Sequence, residues 1–348
     1  MKGAVPTIES SGGLLNAVSP IGRSRLVPCP FSGESIDRYH LTADEMTIER
    51  VHALVAGQPD LIKSHAEDLM SRHRYGAGDH GPSPHLNVLG HPLLRLPIWI
   101  DEAVEERLDE DTVSDILESS LCGYLSVRAE DDYFDGDWDE PKAAMMLSAV
   151  FRARHQALLA RHVSDTRFWD RFEEVWGGYA DAMLRESELN DASSEYGPDD
   201  FDRVLLRSQP LELPANAVLS LKGRWELASL SSELVRHITK ATQLFDDFVD
   251  APDDLASGNY TWMVRRLAGR DGGWALRRAM VESCDRVFAE AGDELDRAVV
   301  VGADLGLTEL PVWVSARKAA MTRASQRLYQ ALFDSVGSFG ASGASGDA

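Results

Sequence analysis

Two groups of aspartates carry the chemistry that this sequence offers. Asp131, Asp132 and Asp135 are spaced as DDxxD. Asp246, Asp247 and Asp250 repeat that spacing more than a hundred residues later, with Asp254 following four positions on. On a helix, residues four apart stack along one face, and like charges so placed destabilise an isolated helix by about 0.2–0.5 kcal/mol per pair. A fold that keeps such stacks is expected to offset them with cations. Carboxylate oxygens suit Mg2+, which takes few protein ligands and fills its octahedron with water and substrate phosphate. Two clusters on two helices predict a site for several such ions, and ions so held neutralise charge that develops on a departing group. The chemistry predicted is metal-assisted departure of a diphosphate.

Helices must position these acids. Ile116, Leu117, Leu121, Tyr124 and Leu125 recur at helical spacing, and the same stripe continues through Arg128 to Asp131, Asp132 and Asp135. Val235, Ile238, Thr239 and Thr242 lead into Asp246 in the same way. Both clusters therefore extend an apolar, inward face, where surface acids would lie opposite it. Helical periodicity also runs through residues 142–162, 165–188, 215–250, 260–267, 274–301 and 312–336, and Thr42, Ala43, Asp44 and Glu45 read as a capping box that opens an earlier helix. No strand alternation and no fixed-period repeat is found. The prediction is an all-α protein, with a Gly/Ser/Pro-rich flexible arm over residues 1–40, one helical domain over 41–336, and a disordered Gly/Ser/Ala-rich tail over 337–348.

Composition narrows the function. The chain has 57 acidic against 35 basic residues, a formal charge of −22 over 348 residues. That argues against nucleic-acid binding, which needs a cationic footprint, and against docking on an anionic membrane. An anionic substrate has to be met by metals and a few placed cations. No apolar run is long enough to span a bilayer and no signal peptide is recognised. Cys29, Cys122 and Cys284 follow no disulfide or metal pattern, which suits a cytoplasmic protein. The second cluster lacks the alternating ligands, glycine and terminal glutamate of an EF-hand. No HExxH, P-loop, GxGxxG or GxSxG motif is present.

At this point a resemblance enters. Gln243, Asp246, Asp247, Asp250, Asp254, Leu255 and Gly258 fall on the second aspartate-rich pattern of trans-isoprenyl diphosphate synthases, and Asp131, Asp132 and Asp135 resemble the first. The order and separation of the two regions agree over residues 85–335. The chain thus resembles the class I isoprenoid synthase superfamily, which also contains class I terpene synthases. The resemblance implies a single antiparallel helical bundle around a central apolar cavity. It implies Mg2+, in three ions, on Asp131, Asp132, Asp135, Asp246, Asp247 and Asp250, with Asp131, Asp132, Asp246 and Asp247 as the catalytic acids. It also implies a prenyl diphosphate substrate and suggests a homodimer. Gln243 and Arg207 are placed like family residues that hold the diphosphate, and Arg327 with Tyr329 resembles the Arg-Tyr pair by which terpene synthases sense it.

Three departures steer the choice of reaction. The segment Gly90, His91, Pro92, Leu93, Leu94, Arg95, Leu96, Pro97 matches poorly the element that grips isopentenyl diphosphate in elongating synthases. No Arg-Arg pair follows the first cluster, and Asn259 stands where a lysine is expected. Loss of these cations weakens a second diphosphate site more than the metal site. The sequence alone therefore favours a terpene synthase that ionises a single allylic prenyl diphosphate, with a prenyltransferase condensing allylic and isopentenyl diphosphates as the alternative. A helical binding protein without catalysis is the reading from another class, and it gives inward-facing, mutually repelling acids no purpose.

Overall fold

The computed structural model describes residues 38–72, 92–104, 106–136, 138, 140–191, 193–268 and 273–342. Among them every regular element is helical: α1 (Arg38–Ala56), α2 (Asp60–Arg72), α3 (Pro92–Ala103), α4 (Glu110–Phe134), α5 (Pro141–His162), α6 (Thr166–Leu189), α7 (Pro198–Val204), a 3-10 segment (Leu205–Glu212), α8 (Leu213–Leu221), a short 3-10 turn (Trp225–Leu227), α9 (Ala228–Ser257), α10 (Trp262–Ala268), α11 (Gly273–Asp304) and α12 (Leu310–Ser342). The all-α prediction holds.

Helix α4 is the axis of the assembly. Asp109 caps its start, accepting from the Thr112 amide at 2.9 Å. The helix then packs against α5 most extensively and also meets α1, α3, α8 and the 3-10 segment. Because neighbours surround it, polar residues are buried along it as well, among them Asp115, Glu118, Ser119 and Ser126. Each is held by a partner: Glu118 takes Arg50 and Arg154, both at 2.6 Å, and Ser126 meets Ser148 at 3.0 Å. Helix α9 is the second pillar and lies chiefly against α11. Its apolar stripe, with Val235, Ile238, Leu244, Phe245 and Phe248, enters a large core shared by α3, α8, α11 and α12.

Several boundaries differ from those that periodicity suggests. Helix α1 begins at Arg38, so residues 42–45 lie inside it and do not form a capping box. The run 215–250 is not one helix: it breaks at Lys222–Arg224, where Gly223 takes φ +67, and resumes as α9. Periodicity cannot see this break, since the same core receives both pieces. Helix α9 also passes through Pro252 to Ser257. Proline removes a donor there, and the Phe248 carbonyl loses its usual partner. The end of α9 is fixed differently: Gly258 sits at φ +80, the Asn259 amide donates to the Asp254 carbonyl at 2.8 Å, and the Gly258 amide donates to Leu255 at 3.2 Å. This is the paired closure that glycine permits and other residues resist. The arm at residues 1–37 lies outside the described residues.

Candidate active site

The two clusters arrive from the ends of the two pillars. Asp131 and Asp132 occupy the last turn of α4, half-buried and buried respectively, while Asp135 lies one position past the helix and is exposed. Acids at a helix C-terminus face the negative end of its dipole, which costs about 0.3–1 kcal/mol each. Arg128 offsets this from one turn back: it donates to Asp131 at 2.6 Å and lies 3.6 Å from Asp132. Asp246, Asp247 and Asp250 lie half-buried in the second half of α9.

One arginine joins the two regions. Arg207, on the 3-10 segment, donates to Glu186 of α6 at 2.5 Å and to Gln243 of α9 at 2.7 Å, and lies 3.9 Å from Asp131. Gln243 in turn donates to Asp247. The chain Asp131, Arg207, Gln243, Asp247 thus runs from the first cluster to the second. Burial lowers the Arg207 proton affinity, but Glu186, Asp131 and Asp247 outweigh it and hold the guanidinium firmly charged. Burial raises the Glu186 carboxyl despite Arg207. It raises Asp247 well above its ordinary carboxylate value and raises Asp246 as well, with Arg317, Arg207 and Arg128 opposing at Asp246.

Other predicted positions fall as follows. Asp254 is engaged by Asn259 at 3.5 Å and Thr261 at 3.4 Å, so the residue at the expected lysine position turns its amide back onto the cluster. The side chain of Arg327 lies outside the described residues, and Tyr329 is 46% exposed on α12. Two members of the site carry no motif and escape the linear reading. Arg128 is visible only as a continuation of the α4 stripe, and Glu186 only as one acid among several on α6.

The donor set suits a hard divalent ion. The two clusters would offer carboxylate oxygens to it, and Asp246 makes no hydrogen bond or ion pair with any described residue. Among the described residues no three acids, histidines or cysteines converge into a ready-made metal cage. Arg128 and Arg207 hold the first cluster instead, so a metal has to compete with them for Asp131.

This architecture is the all-α fold of the class I isoprenoid synthases. The structural neighbours that define it are polyprenyl diphosphate synthases of that superfamily. Heptaprenyl diphosphate synthase from Staphylococcus aureus superposes with a TM-score of 0.62 at 12% identity, covering 82% of this chain and 98% of that one. Geranylgeranyl pyrophosphate synthase from Lactobacillus brevis gives 0.58 at 10% identity, with 84% and 95% covered. Geranylgeranyl pyrophosphate synthase from Corynebacterium glutamicum, complexed with calcium and isoprenyl diphosphate, gives 0.56 at 16% identity, with 85% and 99% covered. No protein-family profile and no curated protein sequence matches the chain. No described helix is long and apolar enough to cross a membrane.

These neighbours correct one expectation. They are prenyltransferases, so the preference for a terpene synthase acting on one substrate is overturned in favour of the condensing alternative. That preference rested on cations missing from linear motifs. Cations at the clusters stand outside those motifs, Arg128 one turn before the first cluster on α4 and Arg207 on the 3-10 segment, where motif spacing does not register them.

Proposed function

We propose that this protein is a prenyltransferase that condenses an allylic prenyl diphosphate with isopentenyl diphosphate, using Mg2+ held by Asp131, Asp132, Asp135, Asp246, Asp247 and Asp250. The observation that carries the reading is the link through Arg207 and Gln243, which brings the two aspartate regions into one site within the fold of the polyprenyl diphosphate synthases. A neighbour of that fold was crystallised with calcium and isoprenyl diphosphate, which supports a divalent-metal diphosphate site here.

Divalent ions supply charge neutralisation on the departing diphosphate. The chain's own residues do the positioning. Arg207 stays cationic and offers its fork to phosphate oxygens. Glu186 holds that fork from behind, and Gln243 fixes the carboxylate of Asp247. Magnesium as the physiological ion and a homodimeric state belong to the same reading and rest on the resemblance; a cytoplasmic location rests on the cysteine pattern and on a sequence without a bilayer-spanning apolar run.

The test is incorporation of radiolabelled isopentenyl diphosphate into extractable product, with geranyl, farnesyl or geranylgeranyl diphosphate as primer. Incorporation that needs both the primer and Mg2+ is expected. No incorporation with any primer sinks the proposal.

A further inference from the structure

We infer that Glu130 is a positioning residue: clasped by Ser148 and Arg152, it pins the last turn of α4 to α5 and so sets the reach of Asp131 and Asp132 toward a metal. The inference rests on the metal-site part of the reading above and adds to it an anchor outside both aspartate motifs.

Glu130 stands directly before the first cluster, yet it is only 8% exposed. Neighbours in sequence do not share a helix face. Glu130 leaves α4 toward α5, whereas Asp131 meets Arg207 of the 3-10 segment. On the α5 side the Ser148 hydroxyl donates to Glu130 Oε1 at 2.5 Å, and Arg152 donates to the same oxygen. Ser126, one turn back on α4, meets the Ser148 hydroxyl at 3.0 Å. Arg152 is fixed in turn from α6. Its guanidinium carbon lies 4.0 Å from the centre of the Trp176 ring and 5.8 Å from that of Tyr179, distances at which a cation is attracted to an aromatic face. Helix α6 thus braces the first cluster twice, through Arg152 onto Glu130 and through Glu186 onto Arg207.

The two kinds of tie differ when a divalent ion binds. Arg128 and Arg207 reach Asp131 itself, so an ion on that carboxylate displaces them. Ser148 and Arg152 hold Glu130 on another face, where an ion on Asp131 and Asp132 leaves them in place. The turn that carries the ligands therefore keeps its seat while its own counterions let go. That seat matters because Mg2+ demands near-ideal octahedral geometry, and groups that orient the ligands set much of the affinity.

The experiment measures Mn2+ binding to the full chain by electron paramagnetic resonance, Mn2+ standing for Mg2+ at an all-oxygen site. The site is the part of the binding that Asp131→Ala removes. Glu130→Gln and Arg152→Gln each open the clasp and are expected to raise Kd by about tenfold or more. Their effects on charge are opposite, so a field effect alone would make Arg152→Gln bind more tightly than wild type. Ser148→Ala changes no charge and is expected to raise Kd about threefold. Glu118→Gln breaks a comparable buried pairing on α4, with Arg50 and Arg154, and should leave Kd unchanged. The inference is overturned if Arg152→Gln binds as well as wild type or better, if Ser148→Ala binds as wild type, or if Glu118→Gln is as damaging as Glu130→Gln. Ser148→Ala decides the matter even if the charge variants do not fold. Mn2+ binding that Asp131→Ala leaves whole overturns the metal site and the inference together. Wild type that binds Mn2+ at the site but incorporates no isopentenyl diphosphate overturns the prenyltransferase reading alone.

Discussion

Arg207 donates to Gln243 across 2.7 Å, and this bond ties the first aspartate region to the second. The same guanidinium holds Glu186, so one side chain is counterion to both regions and brace for the acid behind them. A cation so enclosed by carboxylates stabilises the metal-free protein.

Removing that cation should uncover Glu186. Arg207→Gln is expected to destabilise the metal-free protein by about 3 kcal/mol, because a largely buried carboxylate loses its partner. Adding Glu186→Gln should restore most of that loss. Urea denaturation of the two single variants and the double variant checks this, and losses that merely add would show that the pair is not coupled.

Asp246 should trade stability against activity. Burial raises its carboxyl, and no described residue bonds to it. A buried acid with a raised folded value holds its proton better folded than unfolded, so ionising it costs stability as pH rises past the ordinary carboxylate range. Asp246→Asn removes that cost. Its urea midpoint at neutral pH should exceed wild type, while turnover falls by about a hundredfold or more. A lower midpoint would mean that Asp246 has a structural partner.

The order of helices, the two acid clusters and their inward faces were legible in the sequence, because apolar spacing on α4 and α9 leads straight into the aspartates. The network around them was not. Glu186 and Arg207 meet only because α6 and the 3-10 segment fold together. Long charged side chains report nothing about direction in a linear pattern. The choice of reaction was misjudged for the same reason, since absent motif cations say little about cations brought in by other helices.

His155 should give the protein an acid-sensitive term unrelated to the site. It sits on α5, fully buried against α4 and α6, with Nδ1 at 2.7 Å from the Ser119 hydroxyl and its ring stacked on Phe172. Burial, chiefly, depresses it to about 4. The folded group therefore stays neutral while the unfolded one takes a proton below about 6.5, so stability falls as pH drops through that window. Between pH 6.5 and 5 the loss is about 1.6 kcal/mol. In His155→Gln the slope of stability against pH over this range should flatten by that amount, and an unchanged slope would refute the assignment.

Gly258 closes α9 at φ +80, with open space where a Cβ would stand. Gly258→Ala therefore costs backbone strain without a clash, about 1 kcal/mol, and Gly258→Asn should cost less. Thermal unfolding of both variants checks the order. Equal stability of Ala and Gly would indicate that the end of α9 reorganises.

The reaction itself gives the most direct test. Mass spectrometry of the products formed from farnesyl diphosphate and isotopically labelled isopentenyl diphosphate, with Mg2+, should show prenyl diphosphates lengthened by labelled isoprene units, one inorganic diphosphate being released per unit added. Asp131→Ala and Asp246→Ala should form none. Unlabelled hydrocarbon or alcohol made from farnesyl diphosphate alone, with no label incorporated, would contradict the account.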